Sequence, residues 1–468
     1  MKKHILLIII IVASLATHFL FFGQPRETVF DEVHFGKFIS GYFTHEYFFD
    51  IHPPLGKLII SGMGYAADFE PGFNFAEIGQ KFPDNAYMWL RLLPTIAGTL
   101  LPIVIYFLIL ELGMSRLAAF AGGMLVILEN ALLVQSRIIL LDSFLLLFGF
   151  LAFLFYLLHR HIARHRMSCN WVYLLLSGIF GALAVSVKWT GATFLAIIVI
   201  LYFIDLLKSQ QKLKVMVRDL GFLVILPLII YFSVFALHFS LLSKSGPGDA
   251  FMSPEFRKTL VGSADSANAD LRPLNVFQKF NELNLQMYKS NATLTAGHPY
   301  SSKWYTWPFM IRPIYYWNDS ASEQQSRIYF LGNPVIWWIS TAAIFYLLLN
   351  AAYSIFRLAI LKVLKKFHDF SNYKIKTLSV LLVGVYLFNL LPFISIKRAM
   401  FLYHYMVGLI FAIITLVYLI DQTKNKKRIF MILLAASFAA FIFFAPLSYG
   451  LPLTERAYNF RVWLPTWL

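Results

Sequence analysis

Residues 87–111 read YMWLRLLPTIAGTLLPIVIYFLILE, an apolar run broken by charge only at Arg91 before it closes on Glu111. About 20 such residues cross the hydrocarbon core of a bilayer as one helix. Working outward, the same signature recurs at roughly 5–22, 116–134, 138–158, 171–187, 190–207, 219–241, 333–356, 377–395, 399–420 and 429–447, which makes eleven expected spans. Composition agrees. The 468 residues are 59% hydrophobic and 14% charged, with a mean hydropathy of +0.66. Soluble domains carry about 25% charged residues. The expected fold class is an all-α polytopic membrane protein.

The net charge of +16 follows from how the loops alternate. Lys2 and Lys3 set the N-terminus in the cytoplasm. Counting from there, the inner loops hold Arg160, Arg164 and Arg166; Lys208, Lys212, Lys214 and Arg218; Arg357, Lys362, Lys365, Lys366, Lys374 and Lys376; and Lys424, Lys426, Lys427 and Arg428. Basic residues concentrate in cytoplasmic loops, so the count supports itself and leaves the C-terminus outside. No basic–aromatic nucleic-acid module occurs, and no nucleic acid is expected as a partner. The single cysteine, Cys169, excludes an internal disulfide and a multi-cysteine metal site. There is no internal repeat, no GxGxxG and no Walker sequence, so a nucleotide-driven motor is unsupported. Ser14-Leu15-Ala16 looks like a cleavage site, but the apolar run continues through Phe22, as in a retained anchor.

The chain therefore reads as one transmembrane domain, 1–468. It carries two large extracytoplasmic loops, 23–86 and 242–332, and an extracytoplasmic tail, 448–468. In the first loop Pro53-Pro54 opens an expected interfacial helix over 54–67.

Two acid–histidine pairs stand in that loop: Asp31-Glu32 with His34, and Asp50 with His52. Asp31 and Glu32 are bracketed by Phe30, Val33 and Phe35, which would draw them toward the membrane or the core. A partly desolvated carboxylate is suited to act as a base on a hydroxyl; solvated loop charges are the simpler alternative. Asp50-Ile51-His52 supplies two metal-type ligands, which do not make a site, and an Asp–His hydrogen bond ordering the loop explains the pair as well. Arg91, Arg137 and Lys188 lie at the outer ends of spans, with Asp142 deeper in the same span as Arg137, and charges at such depths face a partner or a wet cavity. Arg137 and Asp142 read equally as a structural ion pair, and Arg91 and Lys188 as snorkelling side chains. Gathered beside the acids, these cations suit an anionic group such as a lipid phosphate. In the second loop, His298, Lys303 and Arg312 stand among aromatics from Tyr300 to Trp307, a pattern that suits a sugar and a phosphate. An interfacial aromatic belt gives the same pattern.

Several of these stretches together resemble the protein O-mannosyltransferases, membrane enzymes of the GT-C glycosyltransferase fold that use polyprenyl- or dolichyl-phosphate-mannose. The matching stretches are Phe30-Asp31-Glu32-Val33-His34-Phe35, Tyr47 through Lys57, Ser136-Arg137 to Leu141-Asp142, Ser186-Val187-Lys188-Trp189, His298-Pro299-Tyr300 with Lys303-Trp304, and Tyr403-His404-Tyr405, with the tail Arg461 to Trp467. The eukaryotic enzymes carry a β-trefoil (MIR) domain in the second loop. Residues 242–332 leave no room for one, so the resemblance is to a short prokaryotic member.

The resemblance implies inverting transfer of mannose to serine or threonine hydroxyls of an acceptor protein or peptide, on the extracytoplasmic face of the cell membrane. Asp31 matches the family's catalytic acid and would take the proton, with Glu32 positioning it or the acceptor. Arg91 would hold the donor phosphate, backed by Lys188, Arg137, His298 and Lys303. His34, Asp50, His52 and Asp142 would shape the loop or touch substrate. No cofactor is called for, and the sequence neither requires nor rules out a divalent metal. Two other readings stay open: the same donor class with a lipid or cell-wall glycan acceptor, and a lipid-linked sugar transporter. A transporter places its charges near the midplane and often shows inverted repeats, unlike this chain.

Overall fold

The computed structural model describes residues 4–164, 170–207, 213–293, 297–319, 325–363 and 377–467. Cys169 and the expected inner-loop residues Arg166, Lys208, Lys212, Lys365, Lys366, Lys374 and Lys376 lie outside them. The helices are α1 (Ile5–Phe19), α2 (Glu32–Thr44), α3 (Leu55–Ala66), α4 (Tyr87–Glu111), α5 (Arg116–Ile127), α6 (Asn130–Ser136), α7 (Asp142–Arg164), α8 (Asn170–Val187) and α9 (Ala192–Leu207). They continue with α10 (Leu213–Leu220), α11 (Leu226–Leu241), α12 (Pro254–Arg257), α13 (Val276–Thr293), α14 (Pro334–Val363), α15 (Thr377–Leu390), α16 (Met406–Asp421), α17 (Lys426–Tyr449) and α18 (Glu455–Asn459).

Each of the eleven expected spans is helical. Among the described residues nine helical segments are long and apolar enough to cross a membrane, and the pair α5–α6, bent by 61°, makes a tenth. The first expected span is α1, of 15 residues. The bend falls at Leu128-Glu129, where the Glu129 side chain turns back to accept the Ala131 amide and caps α6. A caesura at this depth is tolerated only where the freed backbone finds partners inside the protein. Hydropathy sees one continuous apolar run here, so the break was invisible to it. Likewise the fourth span opens at Asp142, not near residue 138. Arg137 ends α6, and Asp142 is the first residue of α7 rather than a residue well inside the span.

Helix α16 is buried along almost its whole length and forms the centre of the bundle. Helix α9 turns Ile200, Phe203 and Ile204 outward, and α11 exposes Leu228, Ile229 and Leu237. Apolar side chains on the rim are unfavourable in water and suited to lipid. Helix α8 meets the π-turn 221–225 with almost no gap. A Cβ on Gly178 would stand 2.0 Å from the Phe222 carbonyl oxygen, so only glycine fits there.

Layered over one end of the bundle are α2, α3, α12, α13 and a small sheet that helical periodicity did not foretell. Strand β1 (Ile314–Asp319) pairs antiparallel with β2 (Gln325–Phe330), and β2 with β3 (Pro452–Leu453). The register pairs Tyr315 with Tyr329 and Trp317 with Ile328, leaving Tyr316 as the extra residue of a bulge.

Candidate active site

Phe30 adopts a left-handed backbone, φ +47°, a strained conformation for a bulky residue. Two contacts hold it. Its amide donates to the Tyr316 carbonyl at 3.1 Å, and its ring stacks on Tyr316 at 3.9 Å with 7° between the planes. The chain then enters α2 with Asp31 at the helix cap and Glu32 as its first residue.

The two acids point into different surroundings. Asp31 is half-buried. Its carboxylate does not cap its own helix, and no hydrogen bond to it is formed among the described residues. Burial raises its pKa to about 7; Lys188 opposes the rise, while Asp142 and Asp50 add to it. Glu32 is fully buried. Its Oε1 accepts from Arg91 Nε at 2.8 Å and from the Ile139 amide at 2.8 Å. Its Oε2 accepts from Arg91 Nη2 at 2.6 Å and from the Val29 amide at 2.8 Å.

The same contacts revise the expected role of Arg91. The remaining donors go to the carbonyls of Gly23 at 2.9 Å, Pro25 at 2.7 Å and Glu27 at 2.9 Å. A guanidinium has five N–H donors, and here all are spent on protein. With 0% exposure Arg91 is a tie-bar between loop and bundle, not a phosphate contact, and Glu32 is its counter-ion rather than a reacting acid. Arg137 is also withdrawn from substrate. It donates to the carbonyls of His18 and Leu20, each at 2.6 Å, and of Phe21 at 2.7 Å, and it lies over the Tyr449 ring. No ion pair with Asp142 forms. His34 is exposed on α2, and His298 and Lys303 are exposed on the second loop, outside the cavity described next.

Asp50 does not bond His52. It pairs with Lys57 of α3, whose ammonium also donates to the carbonyls of His52 at 3.0 Å and Pro53 at 3.2 Å. Lys57, expected on an interfacial face, is buried as the knot that ties this loop. The knot frees the His52 ring to line a cavity. Burial and the nearby cations Lys188, Arg398 and Lys57 hold that imidazole neutral.

This cavity has a volume of about 670 Å³ and lies between the loop layer and the ends of α9, α15 and α16. Trp189, Thr190, Asn389, Tyr403 and His404 line it, together with three cations, Lys188, Lys397 and Arg398. Lys188 donates to Asp142 Oδ1 at 2.7 Å and lies 5.3 Å from the centre of the Tyr403 ring. Asp142 Oδ2 accepts from Gln135 at 2.8 Å, and Gln135 accepts from the Tyr316 hydroxyl at 2.7 Å. Arg398 is half-buried; burial lowers its pKa, while Tyr403 and Asp50 oppose the fall. Asp31 stands beside the cavity, close enough to Lys188, Asp142 and Asp50 for each to act on its charge. Among the described residues no three His, Cys, Asp or Glu side chains are grouped to hold a metal ion.

Sequence reasoning missed Lys397, Arg398, Gln135 and Tyr316. A signal existed for the first two. They fall between the spans 377–395 and 399–420, on a loop that the charge count places outside, where basic residues are unexpected.

The family model described as dolichyl-phosphate-mannose-protein mannosyltransferase matches residues 8–243. The model for the C-terminal four-span region of protein O-mannosyltransferase matches residues 276–467. The Candida albicans dolichyl-phosphate-mannose–protein mannosyltransferase 4 is 34% identical over 285 residues, 58% of this chain and 38% of the relative. A zebrafish (Danio rerio) protein O-mannosyl-transferase 1 is 32% identical over 351 residues, 72% of this chain and 47% of the relative. The chain thus spans less than half the length of these curated relatives. In fold it is similar to the S. cerevisiae Pmt1-Pmt2 complex bound to the sugar donor, with a TM-score of 0.87, 20% identity and coverage of 100% of this chain and 93% of that one. A more distant similarity is to ArnT from Cupriavidus metallidurans bound to undecaprenyl phosphate, with a TM-score of 0.51, 14% identity and coverage of 91% and 62%. These likenesses identify the fold as that of GT-C glycosyltransferases.

Proposed function

The chain belongs to the dolichyl-phosphate-mannose–protein mannosyltransferase family, and from that premise we propose that it transfers mannose, with inversion, from polyprenyl-phosphate-mannose to serine or threonine hydroxyls of proteins. One observation carries the reading. A carboxylate with a pKa of about 7 and no hydrogen-bond partner among the described residues, Asp31, stands beside a cavity walled by Lys188, Lys397 and Arg398.

The chemistry needs those two features together. Asp31, as the carboxylate, takes the proton of the acceptor hydroxyl while the hydroxyl oxygen attacks the anomeric carbon. The bond from that carbon to the phosphate oxygen breaks, and the lipid phosphate departs with the electron pair. A base whose pKa lies near the working pH is the effective one. The leaving anion is stabilised by cations already fixed in place. Lys188 and Arg398, rather than Arg91, fill that role, and Trp189 and Tyr403 offer aromatic faces for the sugar. The reaction is assigned to the extracytoplasmic face of the cell membrane, with the N-terminus cytoplasmic, on the strength of the basic inner loops.

The test is mass spectrometry of purified protein given polyprenyl-phosphate-mannose and a serine/threonine peptide. Hexose on a peptide hydroxyl is the expected result. Hexose only on lipid or glycan would move the acceptor to the other class. Donor consumed by neither, with donor carried across vesicles, would overturn enzymatic transfer.

A further inference from the structure

The bulge residue Tyr316 lies outside the cavity and is fully buried, yet it touches both halves of the site. On one side its carbonyl accepts the Phe30 amide and its ring stacks on Phe30. This holds the strained residue that leads directly into Asp31. On the other side its hydroxyl enters a chain of hydrogen bonds that converges on the Asp142 carboxylate from both ends. Lys188 has only donors, so Asp142 Oδ1 accepts; Asp142 Oδ2 then accepts from the Gln135 amide nitrogen. That fixes the Gln135 carbonyl toward Tyr316, whose hydroxyl must donate. Every member has a forced direction, and the far end is the Lys188 ammonium, whose charge acts on Asp31. Bulges are enriched beside active sites because the extra residue re-aims a side chain.

We propose that Tyr316 is a positioning residue. Through Phe30 it sets the place of Asp31, and through Gln135 and Asp142 it sets the place of Lys188, so that base and cation are held in one frame. This rests on the reading of Asp31 as the base. Loss of the relay lets the Asp142–Lys188 pair drift from Asp31; the attraction of Lys188, the larger effect, is lost together with the smaller repulsion of Asp142, so the net change still disfavours the carboxylate form. The groups whose charge or titration is coupled to Asp31 are Lys188 after α8, Asp142 at the start of α7, Asp50 in the first loop, and Tyr403 and Tyr316.

The experiment reads Asp31 directly. A hydrophobic carbodiimide labels the protonated carboxyl, and the labelled peptide is quantified by mass spectrometry across a pH series in the native protein and in Tyr316→Phe. Tyr316→Phe keeps the ring stack and loses only the relay. Its labelling midpoint is expected to rise by roughly half a pH unit or more, with a matching shift of the acidic limb of transfer and little change in acceptor KM. Gln135→Met breaks the relay at the next link and is expected to shift the midpoint in the same direction, with no further shift in the double variant. An unmoved midpoint in both variants overturns the proposal, whatever their activity. A uniform loss of transfer with an unmoved midpoint assigns Tyr316 a merely structural role and also overturns it. Native protein that labels with the expected midpoint but transfers no mannose counts against the proposed reaction instead, and leaves the labelling comparison to judge Tyr316.

Discussion

Asp31 and Glu32 are neighbours in the chain, and one helical step separates a half-buried, unbonded carboxylate from one with four hydrogen bonds. Asp31→Asn is expected to lower transfer by about 100-fold or more, the usual worth of a positioned base, as read by hexose incorporation into peptide. In the native protein transfer should rise as pH increases through about 7, because the proposed base, Asp31, would act as the carboxylate and its pKa is raised to about 7. The same shift acts on stability with a fixed sign. A carboxyl raised from 3.8 to about 7 by burial lends its full support to the fold only below about 4, and that support is lost progressively as pH rises from there through about 7. Asp31→Asn should therefore unfold at higher temperature than the native protein above pH 7, with the difference fading toward pH 4. Arg91→Ala tells the opposite story. It leaves Glu32 buried without its counter-ion, at an expected cost of about 3–5 kcal/mol, read as a lower unfolding temperature in detergent. If Arg91→Ala folds normally and only weakens donor binding, the tie-bar role is wrong. That the sequence pointed to Arg91 for phosphate is understandable, since an arginine at a membrane rim looks the same whether its donors face a ligand or five protein oxygens.

Elements were legible in proportion to their apolar length. The stretches expected to span the membrane, each helical in the structure, were read from hydropathy because each must present apolar side chains to lipid or core along its length. The breaks within them were not, because the bend at Leu128-Glu129 keeps an apolar sequence on both sides and is paid for by a side-chain cap. The sheet was missed for a related reason. Strands β1 and β2 are short and aromatic, inside a loop whose aromatics fit a membrane belt equally well, and β3 comes from the far end of the chain. Glycine contacts are likewise set between elements. Gly178→Ala should cost about 1–3 kcal/mol, since the new methyl would meet the backbone of the π-turn rather than a side chain able to move. Thermal unfolding monitored by tryptophan fluorescence would check this.

At the scale of the whole molecule, the bundle gathers residues that are far apart in the chain around one cavity: His52 from the first loop, Lys188 after α8, and Lys397 and Arg398 before α16. Arg398→Ala is expected to raise the KM for the lipid-phosphate donor by roughly tenfold or more, the worth of a charge-assisted contact, with acceptor KM little changed. Donor titration at saturating peptide would measure it, and equal effects on both substrates would place Arg398 elsewhere. The sequence by itself determined the helical membrane architecture, through apolar run length, and it marked Asp31 as the acid to examine, through motifs that are local in the chain. Only the tertiary structure decided which charges face the cavity and which are consumed in holding it. Arg91, Arg137 and Lys57 are turned inward onto protein oxygens, whereas Lys188 and Arg398 border open space. That distinction depends on where distant carbonyls and carboxylates come to lie, and hydropathy, charge counts and motif spacing carry no information about it.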